Sequence, residues 1–234
     1  MTVTLEVVPD PAAVCAELLV EAAGAGGDIV LTGGSTPRAA YERAARAPGD
    51  WSGATLWFGD DRCVPPDHED SNYAMARKAL LDPLRERVGD AGSPAVMRIP
   101  GELGPHQGAD AYEHELRSAG PPRFDLLLLG LGPDAHTASL FPDQESLLER
   151  SRLAVGVEHA GLTPFVPRVT LTLSGLALGR HIVFLVTGES KAAAVAAAFG
   201  PEAEPDPHVP ASLLPSLAES ITVLLDSPAA GALA

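Results

Sequence analysis

The chain has 234 residues, 46% of them hydrophobic and 20% charged, with a formal net charge of −15. That length suits one large α/β domain, expected over residues 1–234, and no apolar run approaches the ~20 residues a membrane span needs. With no basic cluster to offset its acidity, the chain as a whole repels nucleic-acid phosphates and anionic membranes, so any anionic ligand must be small and held in a local pocket.

The first ten residues, MTVTLEVVPD, have neither the basic start nor the long apolar stretch of a signal peptide, which predicts a cytoplasmic protein. Cys15 and Cys63 fit neither a metal-ligand spacing nor a disulfide framework and read as structural thiols.

In chain order, β-like runs fall at VTLEVV (3–8), DIVLT (28–32), TLWFG (55–59), FDLLLLG (124–130), RLAVGV (152–157), RVTLTL (168–173), HIVFLVT (181–187) and ITVLL (221–225). Helical patterns lie between many of them. The first starts at Asp10-Pro11, an N-cap followed by proline; others are 37–45, 72–82, 108–119 and 190–199. Runs such as DLLLLG are apolar on both faces, as in a sheet covered by helices on each side. The alternation predicts a doubly wound, mostly parallel α/β sheet. The gap between 157 and 168 is too short for a typical crossover helix, so a small antiparallel side layer is expected there. GPEAEPDPHVP (200–210) reads as a loop.

Four segments carry chemistry. After DIVLT come Gly33, Gly34, Ser35 and Thr36, with a helix expected from Pro37. The glycines admit close approach of a ligand, Thr36 is a candidate cap, and free N–H groups at a helix start attract an anion. The glycine spacing fits neither a Walker A nor a dinucleotide fingerprint, and a plain turn is the alternative. After TLWF the chain reads Asp60-Asp61-Arg62, then a proline-stiffened loop to Ser71-Asn72, where a cap for the next helix is expected. This pairs a candidate general base with a phosphate-clamping arginine, or is a solvated charged loop.

The third segment, LLLLGLGPDAHTASLFP (126–142), turns from apolar to polar within a few residues. His136 is the one histidine directly following a strand-to-loop switch, and Asp134, two residues earlier, is placed to fix its tautomer. In the fourth, Lys191 is expected in the first turn of a helix, where its charge opposes the macrodipole unless an anion is near; a lysine reaching into solvent is the alternative. Taken together, these segments describe one pocket at the carboxyl ends of strands, with cations and N–H groups for an anion and Asp60 and His136 for proton transfer.

The motifs GGSTP, DDRCVPPDHEDSNY, DLLLLGLGPDAHTASLFP, RVTLTL and TGESKA occur in order over nearly the whole chain, which resembles the 6-phosphogluconolactonase family, within the glucosamine-6-phosphate isomerase/deaminase superfamily. The resemblance implies a ribose-5-phosphate isomerase-like α/β fold and hydrolysis of 6-phosphoglucono-δ-lactone to 6-phosphogluconate in the oxidative pentose phosphate pathway, with no cofactor and no metal. It implies His136 as general base, Asp134 as its orienting partner, and phosphate binding by Gly34, Ser35 and Thr36 with Arg62 and Lys191. Arg168, in VPRVTLT, is a further anion-binding candidate. The expected partner is a phosphorylated sugar lactone, with no nucleic acid and no membrane, in a monomer or a homodimer.

The chain departs from the family pattern twice. Ala135 stands where the family usually has glycine, and Asp61 where it usually has glutamate. If the family glycine has a positive φ, Ala135 costs about 1 kcal/mol or shifts the loop. Asp61 keeps the charge and shortens the reach. Two rivals remain. A deaminase on the same fold carries a Glu five residues after the histidine, where this chain has Phe141; a non-catalytic sugar-phosphate sensor of the regulator type would carry a basic DNA-binding segment, which is missing. A serine hydrolase is disfavoured because no G-x-S-x-G elbow is present.

Overall fold

Asp10 accepts a hydrogen bond from the Ala13 N–H and Pro11 occupies the first turn, so helix α1 (Pro11–Gly24) starts where its capping chemistry puts it. It follows strand β1 (Thr2–Val7) in the computed structural model, which describes residues 2–119 and 123–233. The main sheet continues with β2 (Asp28–Leu31), β3 (Thr55–Phe58), the two-residue β5 (Ala95–Val96), β6 (Phe124–Leu129), β9 (Gly179–Val186) and β10 (Ser220–Leu225). Its order is β1-β10-β9-β6-β2-β3-β5, and every neighbouring pair is parallel.

Pairings such as Ile29 with Leu126 and Leu127 with Ile182 align apolar residues across the centre. Leu126 to Leu129 are all buried, which explains the unbroken apolar run: side chains on both faces of β6 leave water. Each such leucine contributes roughly 1.5–3 kcal/mol of burial free energy.

A second sheet was expected from the short connection before residue 168. It contains β7 (Ala154–Val157) and β8 (Arg168–Leu171), antiparallel as anticipated, with β4 (Asp60–Arg62) on the other edge of β8. Here the structure differs from the sequence reading, which ended the strand before Asp60. Gly59 carries the chain from one sheet to the other: its N–H donates to Leu31 O at 3.0 Å and its carbonyl accepts from Leu171 N at 2.8 Å.

Two buried tyrosines finish the strands that lead to the site. Tyr41, on α2 (Ser35–Arg46), accepts from Thr32 N at 2.9 Å and donates to Thr32 O at 2.8 Å. Tyr112, on α5 (Pro105–Ser118), treats Phe58 the same way, at 3.0 and 2.9 Å. Each hydroxyl thus satisfies two main-chain groups that would otherwise be stranded in the core. Among the described residues, no helix is long and apolar enough to cross a membrane.

Candidate active site

From β2 the chain runs outward through β3 and β5, then returns across α5 to β6 on the other side of β2. The strand order therefore reverses between β2 and β6, and connections leaving their carboxyl ends part in opposite directions, which opens a crevice. A cleft of about 240 Å³ lies there, and Gly33, Gly34, Asp60, Arg62, His136, Arg168 and Lys191 all line it. Residues from five separate sequence motifs meet in one place. Ser35 and Thr36 follow directly in the first turn of α2.

The glycine turn differs in detail from expectation. The helix begins at Ser35, two residues before Pro37, and its N-cap is Gly34, with φ +116° and no side-chain capping bond. That backbone conformation suits glycine alone. Thr36 is not the cap; its Oγ1 lies 2.8 Å from Thr187 Oγ1, tying the turn after β2 to the end of β9. The N–H groups of Gly33, Gly34, Ser35 and Thr36 have no protein acceptor among the described residues, so they are open to an anion. Gly33 is also required by its neighbour, since a Cβ there would overlap the Asn72 side-chain amide.

On β4, two adjacent carboxylates do different jobs. Asp61 is buried and faces the start of α3 (Asn72–Ala76), accepting from the N–H groups of Arg62 and Asn72 at 2.7 Å each, from Tyr73 N at 3.0 Å and from Ser71 Oγ at 3.1 Å. Burial pushes its carboxyl above the ordinary range, with the N–H groups pulling the other way. Ser71 caps α3 as expected, accepting from Ala74 N at 3.1 Å. Asp60 accepts from Ser139 Oγ at 2.6 Å and from Asn72 Nδ2 at 3.1 Å. Arg62 donates through Nη1 to Asp70 O, while its buried Nε has no partner among the described residues.

The loop after β6 carries the imidazole. His136 Nδ1 lies 2.5 Å from Asp134 Oδ1, and the His136 N–H reaches the same oxygen at 3.2 Å. The contact assigns the proton to Nδ1, leaving Nε2 as the acceptor. Burial pushes Asp134 up, but its bonds to His136 and the charge of that ring outweigh this, and the carboxyl ends below its ordinary value. The loop is a tight one: Gly132 N donates to His136 O at 2.8 Å, and a Cβ at Gly132 would overlap the Asp134–His136 contact. Ala135 sits at φ +60°, in the left-handed region where a side chain is strained. Phe141, buried, tilts its ring against His136 at a centroid distance of 4.7 Å.

Lys191 ends a short 3-10 turn (Glu189–Lys191) and is the N-cap of α7 (Ala192–Phe199), one position earlier than a first-turn residue. Burial lowers its ammonium pKa, and the charge of Asp134 opposes the shift. Arg168, 4% exposed, also has its pKa lowered by burial, against the pull of Asp60.

Sequence reasoning left three residues of this site without a role. Asn72 bridges Asp60 to the glycine turn, Ser139 joins the histidine loop to Asp60, and Thr170 accepts from Ser139 N at 3.1 Å. The legible sign was hydroxyls inside apolar runs, at Thr170 in RVTLTL and Ser139 in TASLF, since a buried hydroxyl needs a partner.

Fold and site together define an α/β protein with an imidazole–carboxylate pair and an anion-receiving turn at the switch point of its sheet. The chain belongs to the family described as glucosamine-6-phosphate isomerases/6-phosphogluconolactonase, whose model matches residues 6–223. It is 40% identical over 205 residues to the 6-phosphogluconolactonase of Synechocystis sp., covering 85% of this chain and 81% of the other. To that of Mycobacterium leprae it is 39% identical over 214 residues, covering 86% and 83%. The solved 6-phosphogluconolactonase of Trypanosoma brucei superposes with a TM-score of 0.83 at 28% identity, over 100% of this chain and 98% of that one. A monomeric glucosamine-6-phosphate deaminase superposes with a TM-score of 0.80 at 19% identity, over 99% and 100%, a likeness of fold alone.

Proposed function

We propose that this chain hydrolyses 6-phosphoglucono-δ-lactone to 6-phosphogluconate, the step its lactonase relatives are named for, in the oxidative pentose phosphate pathway. The observation that carries the reading is the Asp134–His136 pair with Phe141 against its ring. An apolar residue fills the place where the deaminases carry a glutamate, so this cleft offers an imidazole base and lacks the extra carboxylate for ring opening of an amino sugar.

In this mechanism Nε2 of His136 takes a proton from water as the oxygen attacks the lactone carbonyl. Asp134 holds the tautomer and stabilises the imidazolium that forms. The oxyanion of the tetrahedral intermediate is met by loop N–H groups or a nearby cation. Collapse breaks the bond from the carbonyl carbon to the ring oxygen, and the imidazolium returns its proton to that oxygen. The phosphate is received by Gly34, Ser35 and Thr36 with Arg62 and Lys191, and Arg168 adds positive charge to the same cleft. Asp60, a candidate for proton transfer from sequence, is given a holding role, since Ser139 and Asn72 occupy its carboxylate. The reading needs no cofactor, and a small phosphorylated lactone as the partner.

The test is lactone loss measured above spontaneous hydrolysis. The chain should accelerate it, and His136→Ala should remove the acceleration while 6-phosphogluconate still binds. Full activity in the variant rules out the assigned base, and ammonia release from glucosamine 6-phosphate would favour the deaminase reading.

A further inference from the structure

The connection between β7 and β8, residues 158–167, forms one rim of the cleft through Leu162 and Thr163. Beyond them Phe165 stands 72% exposed, an apolar ring with little of its surface covered. Such a segment needs something to hold it, and three of its carbonyls converge on one guanidinium. Arg168 donates through Nε to Val166 O at 3.1 Å, and through Nη2 to Pro164 O at 2.8 Å and to Leu162 O at 3.4 Å. Only Nη1 is left without a protein acceptor among the described residues.

The geometry points to Arg168 as a positioning residue: its fork fixes the 158–167 loop as the apolar wall of the cleft, with Leu162 as the residue of that wall that the substrate ring meets. This rests on the lactonase reading and goes beyond it, because Nε and Nη2 are spent on main-chain carbonyls of the loop. Planarity is what lets one side chain serve three carbonyls in fixed directions, and a lysine ammonium at the same place carries the charge without the fork. The loop also reaches the catalytic ring. Gly161 packs so closely on Phe141 that a Cβ would lie 2.9 Å from its Cδ1, and Phe141 lies against His136. At the other end, Gln144 Nε2 donates to His159 O at 2.8 Å, so the loop is held at both of its feet.

The experiment compares wild type, Arg168→Lys and Leu162→Ala in the full chain. Limited chymotrypsin digestion reads the loop at Phe165, lactone kinetics read KM and kcat, and inorganic phosphate as a competitive inhibitor reads the anion site by itself. Arg168→Lys should be cut at Phe165 at least about tenfold faster than wild type, and its lactone KM should rise about tenfold with kcat changed much less. Its phosphate inhibition constant should stay within about threefold. Leu162→Ala, which leaves the fork intact, should raise lactone KM with neither faster cutting nor weaker phosphate binding. Cleavage of Arg168→Lys at the wild-type rate, or phosphate inhibition weakening in step with KM, overturns the proposal and leaves Arg168 a phosphate ligand. An unchanged KM in Leu162→Ala overturns the wall, even if Arg168→Lys does not fold. If wild type turns over no lactone, the functional reading fails, and the digestion still decides whether Arg168 tethers the loop.

Discussion

At the scale of single residues, the proposed mechanism turns on the contact between His136 Nδ1 and Asp134 Oδ1 at 2.5 Å, and two changes probe it separately. Asp134→Asn removes the charge that stabilises the imidazolium and allows the wrong tautomer, so kcat should fall by about 10²–10⁴-fold. Lactone kinetics of both proteins check this; a kcat within about threefold of wild type would mean that Asp134 does not serve the proposed base. The sign for stability follows from the same pair. Since the Asp134 carboxyl lies below its ordinary 3.8, its contact stabilises the fold above that range and the benefit is lost as pH falls through the lowered value. Gly132→Ala tests geometry without touching either charge. The new methyl would overlap His136 Nδ1 and Asp134 Oδ1, and displacing the ring by about an ångström should cost about 100-fold in kcat. A variant with wild-type kcat would show that the loop yields freely.

At the scale of elements, Asp61 is an N-terminal anchor for α3 and for the loop 63–71. Asp61→Ala strands the N–H groups of Arg62, Asn72 and Tyr73, and at about 1–3 kcal/mol for a buried orphan the total loss should reach at least about 3 kcal/mol. For a chain of this size that is a fall in Tm of roughly 6–12 °C, read by thermal unfolding. The same element shows what sequence could and could not reveal. Ser71 and Asp10 were legible as caps because capping is local chemistry, and the β6 leucines were legible because burial on both faces leaves no alternation. Asp61 was not, since its partners lie about ten residues on and only the bend of the chain brings them back. Thr36 misled for the same reason: a hydroxyl at a helix start looks like a cap, but Thr187, brought in by β9, takes it. Short strands escaped too. Asp60–Arg62 is polar and is a strand only because β8 lies alongside it, while Ala95–Val96 is too short to show a period. Ala135 was legible as a departure, and its φ of +60° places its side chain in the left-handed region at a cost of about 1–2 kcal/mol.

At the scale of the whole molecule, the site exists because two sheets are fastened together beside the switch point. The parallel sheet supplies the glycine turn and the histidine loop; the antiparallel sheet supplies Asp60, Arg62 and Arg168. Gly59 joins them through the main chain, and Ser139 joins them through its hydroxyl to Asp60 at 2.6 Å and its N–H to Thr170 Oγ1 at 3.1 Å. Ser139→Ala keeps the N–H bond and removes only the hydroxyl, so it isolates one fastening. The Asp60 oxygen left behind is buried and loses its donor, which should cost about 1–3 kcal/mol. The loop then hangs from β8 by one bond, and kcat should fall about tenfold or more as the imidazole loses its fixed approach. Phosphate inhibition should stay near wild type, because the glycine turn is held separately by Tyr41 and Thr187. A double-mutant cycle with Asp60→Asn makes the argument sharp: residues that act through each other should show coupling of about 0.5–3 kcal/mol in stability. If Ser139→Ala lowers Tm yet leaves kcat intact, the hydroxyl only holds the sheets, and the position of His136 is set within its own loop by Gly132 and Asp134.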